Sequence, residues 1–227
     1  MGNFEQKHVH SFYSESSAEF SATRYKIWPK VAEFYEKYVK ETDLILDAGA
    51  GNGRNTCYPE RTLSLDYSEN LLVIAKTRQL GLGYGRCDLG EDLGVVNSVF
   101  DIVISVAVIH HLSTAERREK SVRSLVDVLK PGGYMLVYVW SECPESKPTK
   151  FLGITNLAAG LDPEIVAKAT ANDVFVSWKK TNQKNRYYHL FRDQELNEMV
   201  LQSKVKIVES GRDHGNYYVI CQKLFGI

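Results

Sequence analysis

A glycine-rich segment that follows a short apolar run restricts the fold of this chain more than any other feature. The apolar run 44–47 leads into the sequence Asp47-Ala-Gly-Ala-Gly-Asn-Gly53, and a second apolar run covers Thr62–Asp66. Glycine has no Cβ, so such a segment turns sharply and lets its backbone come close to a ligand. Two short buried strands with a turn of this kind are typical of an open α/β sheet that binds ligands at the carboxyl ends of its strands.

The hydrophobic pattern along the rest of the chain predicts strands that alternate with helices. We expect further strands at 81–88, 100–109, 134–140, 205–208 and 217–221, with the last two joined as a hairpin. We expect helices near Pro29, after Ser68, at the capping-box sequence Ser113-Thr-Ala-Glu116 and at 193–203. The sequence therefore predicts an α/β fold: a mostly parallel seven-stranded sheet with a C-terminal antiparallel hairpin and helices on both faces.

Two stretches fall outside this alternation. Residues 1–27 are polar and aromatic with little periodicity, and 141–192 has mixed character with one or two short helices such as 162–171. We interpret residues 1–227 as a single domain, with an N-terminal cap segment at 1–27 and an insert on the substrate side at 141–192.

The charge balance excludes a protein that binds nucleic acid through its overall charge. The chain has 28 Lys plus Arg and 28 Asp plus Glu, so its formal net charge is zero. No apolar run approaches the roughly 18 residues of a membrane span, and the first residues lack a signal peptide's apolar stretch. The four cysteines form no C-x-x-C pair, so we expect no zinc or other metal site and no disulfide framework in this chain. We expect a soluble protein of the cytoplasm, or of the nucleus.

The acid in front of the glycines favours a cationic ligand. A dinucleotide-binding loop reads G-x-G-x-x-G and leaves room for a pyrophosphate, whereas this chain reads G-x-G-x-G with Asp47 two residues before the first glycine. A carboxylate there repels a pyrophosphate but suits S-adenosylmethionine, which carries an ammonium and a sulfonium group and no phosphate. Asp66 lies 19 residues after Asp47, at the end of the next strand, where a carboxylate can accept both ribose hydroxyls. A nicotinamide-dependent oxidoreductase is therefore disfavoured.

Two further segments extend this pattern. Cys87-Asp88-Leu89 follows the third strand, and Leu129-Lys-Pro-Gly-Gly133 precedes the fifth. With the glycine segment and the spaced acid, they resemble class I S-adenosylmethionine-dependent methyltransferases, which have a Rossmann-like fold. The resemblance implies that Asp88 lies near the exocyclic amine of adenine. The cofactor-binding residues that we predict on this basis are Tyr13, Asp47, Gly49, Gly51, Gly53, Asp66, Tyr67, Asp88, Leu89 and Val106.

Four segments, in the same order, resemble one family within that class. They are Thr23-Arg-Tyr-Lys-Ile-Trp-Pro29, the stretch 105–118, Asn172-Asp-Val-Phe-Val-Ser-Trp178 and Arg186-Tyr-Tyr-His-Leu-Phe191. They resemble the eukaryotic tRNA wobble-uridine carboxymethyl methyltransferases, which esterify the carboxylate of 5-carboxymethyluridine at the wobble position of the anticodon. The sequence departs from the family at Ala50, where Cys is usual, and at Ser177, where Pro is usual. It also has only the short stretch 179–185 where many members carry a long basic insertion.

The resemblance also implies two macromolecular partners. One is the anticodon loop of tRNA, and the other is a small zinc-binding activator protein that extends the sheet along the edge of the third strand, here 82–87. An unpaired strand edge is a natural site for strand addition, although the glycines at 81, 83 and 85 can also serve to blunt that edge. We therefore expect a heterodimer that acts on RNA.

Methyl transfer to a carboxylate needs positioning more than acid–base chemistry. A carboxylate has an ordinary pKa of about 4 and is ionised at neutral pH, so it needs no general base. Arginine orients such an anion through its planar fork. We predict catalytic roles for Arg24, His111, Arg186 and Tyr187, and substrate contacts for Tyr25, Asp173, Trp178, Lys179, Lys180, Tyr188 and His189. Either Arg24 or Arg186 can instead hold the methionine carboxylate of the cofactor, and the sequence leaves that choice open. Structural ion pairs, and packing of the aromatic residues in the core, are the competing interpretations.

A local stretch of basic residues is present although the net charge of the whole chain is zero. Residues 175–192 contain Lys179, Lys180, Lys184, Arg186 and Arg192 and no acid. With aromatic residues among them, they predict contact with an RNA backbone, although a solvated loop has the same composition. Two other functions stay open: a small-molecule carboxyl or hydroxyl methyltransferase, and an inactive methyltransferase fold that serves as a binding scaffold.

Overall fold

The computed structural model describes residues 2–143, 151–154, 161, 163–177 and 185–226, which form two β-sheets. The strands are β1 (Ile45–Ala48), β2 (Thr62–Asp66), β3 (Gly83–Arg86), β4 (Phe100–Val106), β5 (Leu129–Trp140), β6 (Phe151–Gly153), β7 (Asp173–Ser177), β8 (Asn185–His189), β9 (Val205–Asp213) and β10 (Asn216–Lys223). The larger sheet has the order β3-β2-β1-β4-β5-β10-β9. Strand β10 is antiparallel to β5 and β9, and β1–β5 pair in parallel. The predicted seven-stranded sheet with its terminal hairpin is confirmed.

The described helices are α1 (Gly2–Glu5), α2 (Ser11–Glu15), α3 (Ser17–Ala22), α4 (Pro29–Tyr38), α5 (Glu69–Thr77), α6 (Ala115–Val128), α7 (Pro163–Lys168) and α8 (Glu195–Leu201), with a π-helical turn at Gln6–His10 and 3₁₀ turns at Pro59–Arg61 and Ile109–His111. Helices α4, α5, α6 and α8 begin close to their predicted start signals, whereas α1, α2 and α3 were not predicted. The Ser68 hydroxyl caps α5 by accepting a hydrogen bond from the Leu71 amide at 3.4 Å. The cap of α6 is Thr114, one residue after the predicted position. No described helix is long and apolar enough to cross a membrane.

Helices cover both faces of the larger sheet, which explains why its central strands are continuous apolar runs. Successive residues of a strand point to opposite faces. Ile45 of β1 is therefore buried with Val31 and Phe34 of α4, while Leu46 is buried with Leu125 of α6 and with residues of α8. The carboxyl ends of β1, β2 and β4 come together between these two layers.

The smaller sheet was not predicted from the sequence. Strands β6, β7 and β8 pair in antiparallel order within 141–192, where we expected only short helices. The expected helix at 162–171 is present as the shorter α7. The small sheet joins the large one where the Phe191 amide donates to the Trp140 carbonyl at 2.9 Å. Strand β8 then packs against the turns Gln6–His10 and Ile109–His111, which places it beside the carboxyl ends of the central strands.

The N-terminal segment folds into short helices over the same edge of the sheet. Phe4, Val9 and Phe12 are buried. Phe4 packs edge-on against the ring of Tyr187 in β8, with ring centroids 5.4 Å apart. The Asn70 amide group donates to the Ser14 carbonyl oxygen at 2.8 Å. Residues 2–22 therefore bridge from the small sheet to α5, across the carboxyl ends of the central strands.

Candidate active site

A large cleft lies where the N-terminal segment, the small sheet and the carboxyl ends of the central strands meet. It encloses about 1170 Å³, including its open mouth, and the glycine segment forms part of its wall. Clefts at this edge are the usual ligand sites of open α/β sheets.

The glycine segment is held close to strand β2. The amides of Gly49 and Ala50 donate to the Leu65 carbonyl at 2.7 and 2.9 Å. Gly49 has φ +89°, and a Cβ at this position would lie 2.2 Å from a methyl carbon of Val108. Gly49 and Gly51 line the cleft, whereas a Cβ on Gly53 would meet Leu80. The first two glycines thus shape the cleft wall, and the third allows close internal packing.

Two carboxylates stand at the carboxyl ends of β1 and β2: the half-buried Asp66 lines the cleft, whereas the buried Asp47 is not among its lining residues. Asp66 is fixed by backbone amides: its Oδ2 accepts from Gly51 at 2.8 Å and its Oδ1 from Ser68 at 2.7 Å. Asp47 is 1% exposed, and its Oδ2 accepts no hydrogen bond from any described residue. Burial, reinforced by the charge of Asp66, raises the pKa of Asp47 to about 7. A buried carboxylate oxygen without a donor is suited to a cationic group such as an ammonium.

A chain of hydrogen bonds connects Arg186 to His111 through a tyrosine. The Arg186 Nη1 donates to the Tyr13 hydroxyl oxygen at 3.1 Å, and that hydroxyl lies 2.8 Å from His111 Nε2. His111 Nδ1 lies 2.9 Å from the carbonyl oxygen of Tyr187. Since a carbonyl only accepts, Nδ1 carries the proton, and Nε2 accepts from Tyr13. Burial, with a further contribution from Arg186, lowers the pKa of His111 to about 3, so its ring is neutral.

Three arginines converge on the cleft, and two of them, Arg24 and Arg186, were predicted from the sequence. Arg186 is buried and packs over the ring of Phe12 at 4.4 Å. Arg24 packs over Phe20 at 4.3 Å. The third is Arg54, which follows the glycine segment directly; burial and the nearby Arg24 charge lower its pKa to about 10. Its position directly after Gly53 could have identified Arg54 as a site residue from the sequence. Together the three guanidinium groups make one end of the cleft a site for anions.

An aromatic stack forms the wall beside Arg186. The rings of Trp140 and Tyr188 are stacked with centroids 4.4 Å apart, and the His110 ring stacks on Tyr188 at 5.0 Å and lies 5.9 Å from Trp140. All three residues line the cleft. Trp140 was not predicted; it is the last residue of β5, and a carboxyl-end position was the signal that could have identified it.

Other predicted cofactor residues also line the cleft. Tyr67 stacks on His10 with centroids 3.4 Å apart, and its hydroxyl donates to Gln6 Oε1 at 2.9 Å. Asp88, Leu89 and Val106 contribute to the same wall. Tyr25 is 69% exposed and does not line the cleft. Trp178, Lys179 and Lys180 lie outside the described residues, so their roles stay predictions.

Three predicted site residues lie behind the cleft wall instead of lining it. The Tyr187 hydroxyl donates to Asp173 Oδ1 at 2.5 Å, and His189 lies between Asp173 and Glu195 at 2.9 and 2.7 Å. Burial raises the pKa of Asp173, but the hydrogen bonds from His189 and Tyr187 outweigh it and hold that pKa well below its usual range. This network ties β7 and β8 to α8, and its direct link to the cleft is the Tyr187 carbonyl that fixes His111.

Comparisons with known proteins agree with this geometry. A family described as "Methyltransferase domain" matches residues 46–137. A putative methyltransferase of Encephalitozoon cuniculi is 38% identical over 97% of this chain and 97% of its own length. The tRNA (carboxymethyluridine(34)-5-O)-methyltransferase of Saccharomyces cerevisiae is 28% identical over 96% of both chains. The corresponding enzyme ALKBH8 of Mus musculus is 36% identical over 76% of this chain, which spans 26% of the mouse protein. The chain belongs to the methyltransferases.

Solved structures place this methyltransferase in the class I fold. An S-adenosylmethionine-dependent methyltransferase of Methanosarcina mazei superposes with a TM-score of 0.67 at 18% identity, covering 88% of this chain and all of its own. A methyltransferase of Haloferax volcanii, solved in complex with the Trm112 methyltransferase activator, has a TM-score of 0.64 at 15% identity and covers 96% of this chain and 99% of its own.

The cofactor of this methyltransferase is S-adenosylmethionine, and the cleft fits it. The unpartnered oxygen of Asp47 suits the ammonium group, and the fixed carboxylate of Asp66 suits the ribose hydroxyls. Gly49 and Gly51 line the cleft without side chains, so a ligand can approach their backbone closely.

Proposed function

We propose that this enzyme methylates the carboxylate of 5-carboxymethyluridine at the wobble position of tRNA and so produces the methyl ester. The observation that carries the proposal is the buried Arg186, which is oriented by Tyr13 and His111 beside two further arginines at the cleft. Such a site attracts and orients a carboxylate. The names of the yeast and mouse relatives support the same substrate.

The protonation states at the site favour a nucleophile that is already charged. A neutral His111 with a pKa of about 3 is a weak base and is already engaged with Tyr13. Burial also lowers the pKa of His110 well below its usual range. A hydroxyl substrate would need a stronger base to remove its proton. A carboxylate needs none, so the set of arginines and neutral histidines fits ester formation.

We assign the residues of the cleft as follows. Asp47 receives the ammonium group of the cofactor, Asp66 the ribose hydroxyls, and Asp88 the exocyclic amine of adenine. The bound cofactor supplies an electrophilic methyl group. Arg186 holds the substrate carboxylate, Tyr13 and His111 keep Arg186 in place, and the stack of Trp140 and Tyr188 offers a flat surface for the uracil base.

The test is methyl transfer to tRNA that carries 5-carboxymethyluridine, with the methyl ester measured by mass spectrometry of the nucleosides. Arg186→Ala should lose at least about 100-fold in activity, as expected for removal of a charged group that orients a reactant. Its affinity for S-adenosylhomocysteine should stay within about two-fold of the parent value. Arg123→Ala, which changes a half-exposed arginine on α6, is the matched control. Absence of the ester with the unaltered enzyme and its activator would exclude this substrate.

We also propose that a small zinc-binding activator protein pairs with strand β3. Among the described strands, β2 is the one neighbour of β3, and Leu82 beside it is 64% exposed. The Haloferax volcanii neighbour, which was solved in complex with an activator, supports the presence of such a partner. Leu82→Lys should weaken co-purification of the activator, whereas Leu201→Lys, at an exposed leucine on α8, should not. Equal binding by the two variants would place the partner elsewhere.

A further inference from the structure

The N-terminal segment is fastened across the cleft through one buried carboxylate. Glu5, the last residue of α1, is 3% exposed. Its Oε1 accepts hydrogen bonds from the amide and the hydroxyl of Ser113 at 2.7 and 2.8 Å. Arg117, near the start of α6, donates through Nε and Nη2 to the two oxygens of Glu5, each at 3.0 Å. Because 112 residues separate Glu5 from Arg117, this contact forms only when the N-terminal segment lies over the sheet.

The same guanidinium holds the acid that we assign to adenine. Arg117 Nη2 donates to both oxygens of Asp88, at 2.8 and 3.0 Å, and Asp88 Oδ1 also accepts from the Gly90 amide at 2.9 Å. A Cβ on Gly90 would lie 2.5 Å from Arg117 Nη2. The guanidinium therefore packs directly on the Gly90 backbone and sets the orientation of the Asp88 carboxylate in the cleft.

The two acids depend on the arginine between them. Oxygens of Glu5 and Asp88 lie within 4.8 Å of each other and of a ring nitrogen of His10. Burial lowers the pKa of Arg117, but Glu5 and Asp88 outweigh it and raise that pKa above its ordinary value, so the guanidinium is charged. Without that charge, the carboxylates would repel each other in a partly buried space, which would both turn Asp88 and release Glu5.

We propose that Arg117 is a positioning residue for adenine recognition and that Glu5 makes this positioning depend on closure of residues 2–22 over the cleft. Val9, His10 and Tyr13 of that segment line the cleft. Closure therefore brings these cleft-lining side chains into place and orients Asp88 in one step. The proposal rests on the adenine contact of Asp88 in the proposed function, and it adds two residues that do not touch the cofactor.

The test compares two ligands that differ at one position of the base. S-adenosylhomocysteine presents the amine that Asp88 accepts, and S-inosylhomocysteine presents a carbonyl oxygen there. By calorimetry, the unaltered enzyme should prefer the adenosyl ligand by about 10- to 100-fold, the effect of one hydrogen bond to a charged group. In Glu5→Gln, which keeps the shape of the side chain and removes its charge, this preference should fall at least about five-fold. The ratio is insensitive to partial unfolding, because both ligands bind the same folded fraction.

The matched control is Glu91→Gln. Glu91 accepts from Arg117 Nη1 at 2.7 Å but is exposed and belongs to neither the N-terminal segment nor the cleft wall. Its substitution should leave the ratio unchanged. An unchanged ratio in Glu5→Gln, or an equal fall in Glu91→Gln, would refute the link through Glu5. If the unaltered enzyme shows no preference, the adenine role of Asp88 itself is wrong and the proposal fails with it.

Hydrogen exchange gives a second readout of closure. Amides of residues 6–22 should exchange more slowly when S-adenosylhomocysteine is added to the unaltered enzyme. In Glu5→Gln, the same amides should exchange faster without ligand and gain less protection with it, whereas those of β4 should be unaffected. Equal protection of 6–22 in both proteins would show that Glu5 does not control closure.

Discussion

Replacing Asp47 with asparagine should make the enzyme more stable without its cofactor and unable to use it. The Asp47 carboxylate is buried beside Asp66, and its pKa is about 7 in the folded protein. In the unfolded chain it returns to its ordinary value near 4. The folded state therefore binds a proton on Asp47 more tightly than the unfolded state does.

The sign and size of the effect follow from that difference. The stability associated with Asp47 is fully present below about pH 4 and decreases as the pH rises, because the ionised carboxylate must be buried. By about pH 7 the loss in the free energy of unfolding reaches about 4 kcal/mol as an upper figure, at about 1.4 kcal/mol for each pH unit. Asp47→Asn removes this dependence, since an amide does not ionise.

Urea unfolding at pH 5 and pH 7 measures the effect. Asp47→Asn should gain about 2 to 3 kcal/mol relative to the parent between the two pH values. Any packing cost of the amide cancels in that comparison because it is the same at both. Asp127→Asn removes one negative charge from an exposed position on α6 and should show no such change. S-adenosylhomocysteine should stabilise the parent at pH 7 and not Asp47→Asn. A variant that is destabilised equally at both pH values would refute the assignment of Asp47 as a strained, ligand-directed carboxylate.

Three further changes test other parts of the site. Tyr13→Phe removes the hydrogen-bonded link between Arg186 and His111. Methyl transfer should fall about 10- to 100-fold, with little change in the affinity for S-adenosylhomocysteine. An equal loss of activity and of affinity would place Tyr13 at the cofactor instead. Gly49→Ala should abolish cofactor binding in calorimetry because its Cβ would lie 2.2 Å from Val108, and adding Val108→Ala should restore part of that binding if the clash is the cause. Asp173→Asn should lower the free energy of unfolding by about 2 to 4 kcal/mol at pH 7. The difference in stability between variant and parent should shrink below pH 4, because a carboxyl with a lowered pKa in the folded state loses its stabilising effect as it is protonated. A loss of stability that is the same at every pH in thermal melts would contradict this.

The larger sheet could be predicted because its signals are local. Buried parallel strands are apolar over their whole length, and the glycines, Ser68 and the terminal hairpin mark where elements begin and end. The small sheet gave no such signal. Its strands bury Asp173, Arg186 and His189, and charged residues at buried positions hide the alternation by which a strand is recognised. Asp173 and His189 are tolerated because they hydrogen-bond to each other, and Arg186 because it donates to Tyr13; a linear pattern shows neither contact.

The candidate site divides in the same way. The residues of the glycine segment and Asp66 were predicted because their spacing in one β-α-β unit determines their roles. Arg54 and Trp140 were not predicted, because each reaches the cleft beside residues that are distant in sequence and that only the fold brings next to it. Glu5 stood in a segment without periodicity, and its partner Arg117 is 112 residues away. The contacts that fasten the N-terminal segment are therefore tertiary, and no local pattern encodes them.

The join between the two sheets has a consequence for how the enzyme can diversify. The chain leaves the large sheet at Ser141 and returns at Phe191, where the two positions are bridged and the Glu142 amide donates to the Phe191 carbonyl at 3.0 Å. Because both ends are clamped, a change of length between them leaves the register of β5, β10 and β9 as it is. The entropy cost of a longer connection grows only slowly with its length. The length of the segment between Ser141 and Phe191, and so its extension towards a large substrate, can therefore change without altering the cofactor cleft.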